Sequence, residues 1–266
     1  MLNIEEFIRR ARAVGLSEST IRYNVSVLNR FSKFMEEKHI DSITRSSIID
    51  FISSLNTSKS SIPTYLDAIR RYCELMDIDV DLRGIIKRAQ AYVVRRTDSL
   101  TVDEVKSIIN ESTYPYKLIY ALMYVYARRL GEVLGATVNG DLIVFPILKQ
   151  KPRSTVSYPL TPELTRMINE CIALGKCGKD KLFNVTARAV ELHFKRVSLK
   201  LINPNGRRLK PHILRSSRVT HLVESGIPLD EVVKVLTKHR NINIAYQYYL
   251  SESNVNDVIN KVNVLS

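Results

Sequence analysis

His212 and Arg215 stand three residues apart in Pro211-His-Ile-Leu-Arg, so a helix would place an imidazole and a guanidinium on one face. Ile213, Leu214, Val219, Leu222 and Val223 recur at helical spacing, and Gly226 and Pro228 end the run, which predicts that helix from about Pro211 to Ser225. A guanidinium forks onto two oxygens of a phosphate, and an imidazole beside it can donate a hydrogen bond or take a proton. Downstream, the apolar run Leu229 to Thr237 leads to Lys238, His239 and Arg240, after which Asn241 and Asn243 interrupt the pattern. Asn243 suits the cap of a short new helix carrying Tyr246, Tyr248 and Tyr249. At about 100° per residue, His239 and Tyr248 would face opposite ways on one unbroken helix, so the break is what lets both reach one site. The stretch Pro211 to Tyr249 therefore reads as a phosphate clamp followed by a phenol nucleophile.

Composition agrees with a polyanionic partner. The 266 residues carry a formal net charge of +13 with a sequence pI near 9.7, and phosphate neutralisation makes nucleic acid the first choice. With 45% hydrophobic and 25% charged residues and no run long enough to span a membrane, a globular protein of two domains is expected. Cys73, Cys171 and Cys177 are odd in number and irregularly spaced, so neither a disulfide framework nor a zinc site is expected, and a reducing cytoplasm fits. The opening Met1-Leu-Asn-Ile-Glu-Glu has no export signal, and no metal or cofactor is implied.

The elements that must position these residues are mostly helical. Residues 1–76 read as a small helical domain. Ile4, Phe7, Ile8, Ala11 and Val14 form a stripe closed by Gly15, and Ser17 to Thr20 cap a longer helix through Ile21, Val25, Leu28, Phe31 and Phe34. Thr44 to Leu55 is a third helix, and Pro63 opens a fourth. Over 77–98 the period loosens and Arg83, Lys87, Arg88, Arg95 and Arg96 gather, as in a basic linker crossing DNA backbone. A second domain, 99–250, opens on Thr101 and Glu104, a capping box. Asn139-Gly140 predicts a hairpin turn, with strands at Leu142 to Leu148 and Ser154 to Tyr158 and a basic tip between them. Lys195, Arg196, Lys200, Arg207, Arg208 and Lys210 then crowd the approach to His212, where phosphate contacts are the natural reading. His193 and His221 fall within apolar periods and read as structural. The tail 251–266 has Val255, Ile259, Val262 and Leu265 on one stripe that needs a partner, either a neighbouring subunit or its own domain.

At His212-x-x-Arg215, Lys238-His239 and Tyr248, nine residues after that His, the sequence resembles the tyrosine recombinases, the phage-integrase and Xer-type enzymes. The resemblance covers nearly the whole chain. It includes Thr20-Ile21-Arg22-Tyr23 followed by Leu28 and Phe31, and Leu100-Thr101-x-x-Glu104 at the start of the second domain. It implies a mainly α fold with a small antiparallel β-hairpin sheet, made of an N-terminal helical core-binding domain and a catalytic domain. Ala127-Arg128-Arg129-Leu-Gly-Glu132 stands where the family has Gly-Leu-Arg-Ile-x-Glu, so Arg129 takes the place of the first catalytic arginine and Glu132 that of its buried acid, with Arg128 as the alternative. Counting back from Tyr158-Pro-Leu160 puts the family's hairpin lysine at Lys151, with Lys149 the alternative.

The resemblance implies Arg129, Lys151, His212, Arg215, His239 and Tyr248 as catalytic residues, in site-specific strand exchange through a 3′-phosphotyrosyl bond. Double-stranded DNA at a specific site, a dimer to tetramer on that DNA, and a cytoplasmic setting follow from it, with no membrane partner. Of thirteen tyrosines only the offset from His239 selects Tyr248. Tyr249 is rotated about 100° from it and Tyr246 about 200°, so a shift of register would change the nucleophile. Two other functions fit the same residues: a DNA-binding protein of this fold without catalysis, and a type IB topoisomerase.

Overall fold

The computed structural model of the chain describes residues 2–86, 99–148, 154–202 and 209–237. The chain divides into two compact units, Met1–Val94 and Arg95–Ser266.

The first unit is built on four helices, each started and stopped by a residue suited to it. Helix α1 (Ile4–Ala13) is capped by the Asn3 side chain, and Gly15 turns the chain at φ 75° to close it. Ser17 caps α2 (Glu18–Glu37), which ends where His39 takes φ 55°. Thr44 and Ser47 form a capping box on α3 (Arg45–Ser54), and Pro63 sits in the first turn of α4 (Ile62–Leu75). Phe7, Ala11, Ile21, Leu28 and Tyr72 fill one cluster, while Phe31, Ile48, Phe51, Leu66 and Ile69 fill another. The segment expected to begin a linker at residue 77 instead continues this packing. Leu82 is buried, and Ile78, Val80, Ile85 and Ile86 lie against the same cores, because their apolar side chains have a face to cover. Lys87, Arg88, Arg95 and Arg96 lie outside the described residues.

The second unit is mainly α around a three-stranded antiparallel sheet, the class the sequence predicts. Helix α5 (Val102–Asn110) carries the expected capping box, Thr101 with Glu104. Helix α6 (Tyr116–Val125) is apolar apart from Lys117, with Leu118 to Met123 buried, and forms the centre of the core. A short α7 (Leu130–Leu134) leads into β1 (Thr137–Asn139), β2 (Leu142–Ile147) and β3 (Ser154–Pro159), paired in the order β1-β2-β3. Gly140 at φ 57° makes the first turn, and the second hairpin pairs Ile143 with Tyr158 and Ile147 with Ser154. Lys149 and Lys151, at its tip, lie outside the described residues. Helices α8 (Pro162–Ala173) and α9 (Ala187–Leu201) begin at Thr161 and Thr186 caps, and α10 (His212–Glu224) runs against α6. The last described elements are α11 (Leu229–Val232) and a π-helical turn, Val233–Thr237.

One expectation is overturned: Cys171 and Cys177 are joined by a disulfide. Gly175, at φ 65°, ends α8 and folds the chain back, so that the amides of Lys176 and Cys177 both bond to the Cys171 carbonyl. That return leaves the two Cα atoms 5.2 Å apart, within bridging range. The cysteine pattern therefore gives no support for a reducing compartment. The remaining Cys73 is buried, and burial pushes its thiol up to about 11.

Two outcomes follow for stability. Reducing the Cys171–Cys177 loop is expected to cost about 2 kcal/mol in the loop-entropy account, read as a drop in the denaturant midpoint that a Cys171→Ser variant reproduces. His193 stacks on Tyr116 with ring centres 3.9 Å apart and lies 3.0 Å from the Tyr120 hydroxyl. Burial, then the nearby Arg196, holds its pKa below the ordinary 6.5. The unfolded chain then binds a proton that the folded one does not, so stability is complete above pH 6.5 and falls as pH drops below it. Thermal unfolding at stepped pH should show that fall, and His193→Gln should flatten it.

Candidate active site

Helix α6 stops at a left-handed residue. The Arg128 amide reaches back to the Met123 carbonyl and the Ala127 amide to the Tyr124 carbonyl, with Ala127 at φ 48° between them. This is the double-bonded helix terminus that glycine normally makes. An L-residue there costs roughly 1–2 kcal/mol, which accounts for Gly at this position in the family that the sequence resembles. The turn matters because the next two residues are Arg128 and Arg129, and α7 begins immediately after them.

Glu132, in the first turn of α7, is completely buried and collects what the turn presents. Its carboxylate accepts from the Arg129 amide at 3.0 Å and from the Arg129 guanidinium at 3.0 Å. Arg128 lies 3.8 Å from it, and Arg215 of α10 lies 4.0 Å from it. Arg215 also donates to the Ala127 carbonyl at 2.6 Å, so the same turn that positions Arg128 and Arg129 holds the incoming helix. One carboxylate thus faces three guanidiniums, and the excess positive charge suits an anion such as phosphate.

Exposure separates the three. Arg128 is 1% exposed and spends its donors inward, on the Tyr126 carbonyl at 3.2 Å and the Tyr158 hydroxyl at 2.8 Å. Arg215 is 0% exposed, whereas the Arg129 side chain is 25% exposed. Of the two adjacent arginines, Arg129 is the one with surface left for a ligand. His212 is exposed at the start of α10, at the positive end of the helix dipole, which favours anions. Helix α10 is fixed at its middle: Ser217 accepts from the Leu100 amide at 2.8 Å, and His221 sits between the Leu100 carbonyl at 2.7 Å and the Tyr124 hydroxyl at 2.8 Å. A carbonyl only accepts, so Nε2 of His221 carries the proton, and Nδ1 accepts from Tyr124.

Arg129 and Arg215, 86 positions apart, are therefore brought together, with His212 one turn before Arg215. Lys151, His239 and Tyr248 lie outside the described residues, as do Arg207 and Arg208. The other expected DNA contacts are dispersed. Arg83 is on the first unit, paired with Asp81 at 3.1 Å on an exposed surface. Lys195 and Lys210 line a cleft of about 230 Å³ beside Pro211, while Arg196 is exposed on α9. Arg188 joins that cleft and was missed in the sequence; its position seven residues before Lys195, on the same helical face, was the available signal.

Comparison with known proteins bears on this arrangement. The phage integrase family matches residues 98–254, and the N-terminal SAM-like domain of phage integrases matches residues 4–74. A tyrosine recombinase of Pseudothermotoga lettingae is 24% identical over 280 residues, covering 98% of this chain and 96% of that protein. Among solved structures, the post-cleavage complex of the XerH site-specific recombinase with palindromic difH substrate superposes with a TM-score of 0.70 at 15% identity, over 98% of this chain and 83% of that one. A lambda integrase tetramer bound to a Holliday junction gives 0.68 at 17% identity, over 91% and 75%.

The Glu132 cluster makes a clear stability prediction. Glu132→Ala strands buried guanidiniums without their counter-charge and should cost about 3–5 kcal/mol, whereas Arg129→Ala leaves Glu132 the Arg128 and Arg215 guanidiniums and should cost less, about 2 kcal/mol for the lost charged hydrogen bond. Urea unfolding of both variants checks the contrast.

Proposed function

Because the chain belongs to the phage integrase family, we propose that it is a site-specific DNA recombinase that cuts and rejoins DNA through a 3′-phosphotyrosyl intermediate, with Tyr248 as its nucleophile. The observation that carries the assignment to residues is the convergence of Arg129 and Arg215 on the buried Glu132. Two guanidiniums placed around one phosphate meet what the reaction needs most. The pentacoordinate phosphorus gathers negative charge on its equatorial oxygens, and fixed positive groups stabilise that charge without rearranging.

In this reading the phenol oxygen of Tyr248 attacks the scissile phosphorus, and the bond to the 5′-oxygen breaks. His212 takes the phenolic proton or donates a hydrogen bond to the phosphate, and His239 donates to a non-bridging oxygen. Lys151 gives its proton to the departing 5′-oxygen, with Lys149 the alternative donor. The 5′-hydroxyl of a second strand then attacks the phosphotyrosyl phosphorus, which releases Tyr248 and joins the new strand. The covalent link conserves the phosphodiester energy, so the two steps are reversible and need no nucleotide cofactor.

Lys195, Arg196 and Lys210, together with Arg207 and Arg208, would grip backbone near the cut, and Arg83, Lys87, Arg88, Arg95 and Arg96 would grip it further along. The chain would work as a dimer to tetramer on double-stranded DNA in the cytoplasm, in chromosome dimer resolution or in integration and excision. The tail 251–266 would couple neighbouring subunits. Among the described residues no helix is long and apolar enough to cross a membrane.

Nicked duplexes tiled across the DNA flanking the gene, incubated with the protein and resolved under denaturing conditions, test the reading. The wild type should leave a covalent adduct on one of them. Tyr248→Phe should bind that duplex and leave none, and Tyr249→Phe should behave as the wild type. Salt-sensitive binding with no adduct on any duplex would instead mark a non-catalytic DNA-binding protein, and relaxation of supercoiled DNA without site preference would mark a topoisomerase.

A further inference from the structure

Arg128 and Tyr158 have no part in the chemistry above, yet they touch it at two places. Arg128 is buried beside Glu132, at 3.8 Å, and its Nη2 donates to the Tyr158 hydroxyl at 2.8 Å. That hydroxyl donates in turn to the Val235 carbonyl at 2.8 Å and approaches the Leu236 carbonyl at 3.4 Å. A phenol has one proton to give. Because Arg128 can only donate, it occupies a lone pair of the hydroxyl and directs that proton towards Val235. The charged donor also polarises the O–H bond, which strengthens the second link.

The ring that carries the hydroxyl is itself fixed. Tyr126 stacks on it with centres 5.3 Å apart, Phe145 stands 6.2 Å away, and β3 holds its backbone opposite Ile143. Val235 and Leu236 belong to the π-helical turn Val233–Thr237, and His239 follows that turn by two residues. A π turn has weaker internal bonding than an α turn, so an outside donor to its carbonyls has more effect on where it sits. The carbonyl of Val235 is 77 residues from Tyr158 in sequence, so this contact ties together parts of the unit that the backbone leaves far apart.

We propose that Arg128 and Tyr158 are positioning residues: together they latch the turn Val233–Thr237 to the Glu132 cluster. They thereby set the point from which His239 and Tyr248 approach a phosphate held by Arg129 and Arg215. The second half rests on the recombinase reading; the first half rests on the contacts alone.

The full-length protein with Tyr158→Phe tests both, since this variant keeps the ring and removes only the hydroxyl. Arg128→Met and the double variant complete the set. In Tyr158→Phe, hydrogen exchange without DNA should speed up about tenfold in the peptide spanning 233–237, the factor expected from about 1.4 kcal/mol of lost hydrogen bonding, and stay unchanged in 116–125 and 212–224. On the duplex that the wild type cleaves, adduct formation should slow by a similar factor while affinity for that duplex holds. The double variant should be no slower than the worse single one, because each breaks the same link. Wild-type exchange in Tyr158→Phe overturns the latch, as does a uniform rise in exchange across the unit. Faster exchange at 233–237 with an unchanged adduct rate overturns its role in positioning. If the wild type forms no adduct on any duplex, the recombinase reading falls, and the exchange measurement still decides whether the latch exists.

Discussion

A carboxylate removed from water must be matched by positive charge and hydrogen bonds, and Glu132 takes that compensation from both sides of the site. Its partners come from the turn after α6, from the start of α7 and from the first turn of α10. Leaving any of these unpaired in a dry interior would cost several kcal/mol, so the acid fixes the relative placement of three elements. The pairing is also unequal in charge: among the described residues, three guanidiniums lie within 4.0 Å of the one carboxylate. In the proposed reaction, the interaction that secures the fold here is also the one that sets the arginines around the scissile phosphate.

The turn at Ala127 makes that arrangement possible. A helix that simply continued through residue 127 would direct Arg128 and Arg129 around the α6 surface, and Ala127 could not turn its carbonyl to Arg215. The left-handed step reverses the chain, buries Arg128 against the Phe145 and Tyr158 rings, and leaves Arg129 at the edge. Ala127 is itself buried with Val219, Leu229, Val232 and Val233, so the strained residue is held by the packing of α10 and α11. Local strain, tertiary packing and the charged cluster therefore depend on one another.

Much of the fold was legible from local chemistry. The Ser17, Thr44, Thr101, Thr161 and Thr186 caps and the Asn139-Gly140 turn state their own conformations, because each satisfies backbone groups within a few residues. The i, i+3 pairing of His212 with Arg215 was legible for the same reason. Arg129 and Glu132 were reached through family resemblance, since nothing in their spacing distinguishes them from an ordinary surface ion pair. The Cys171–Cys177 bridge escaped notice because it needs the reversed turn at Gly175, and a spacing of six carries no recognised pattern. Arg128 was named only as the alternative to Arg129, and its link through Tyr158 to Val235 escaped because a hydroxyl bonded 77 residues away depends on tertiary contacts that composition does not encode. The packing of residues 78–86 escaped because Ile78, Val80, Leu82, Ile85 and Ile86 keep no helical period, and only the neighbouring helices show that they have a surface to cover.

The central claim is that Arg129 and Arg215 neutralise charge on one and the same phosphate. The direct test replaces the scissile phosphate by a neutral methylphosphonate and compares adduct formation by the wild type, Arg129→Ala and Arg215→Ala on the two linkages, so that any effect of a variant on folding cancels. If both arginines act on that phosphate, each variant loses far less on the neutral linkage than on the charged one. Equal losses on the two linkages would contradict the account.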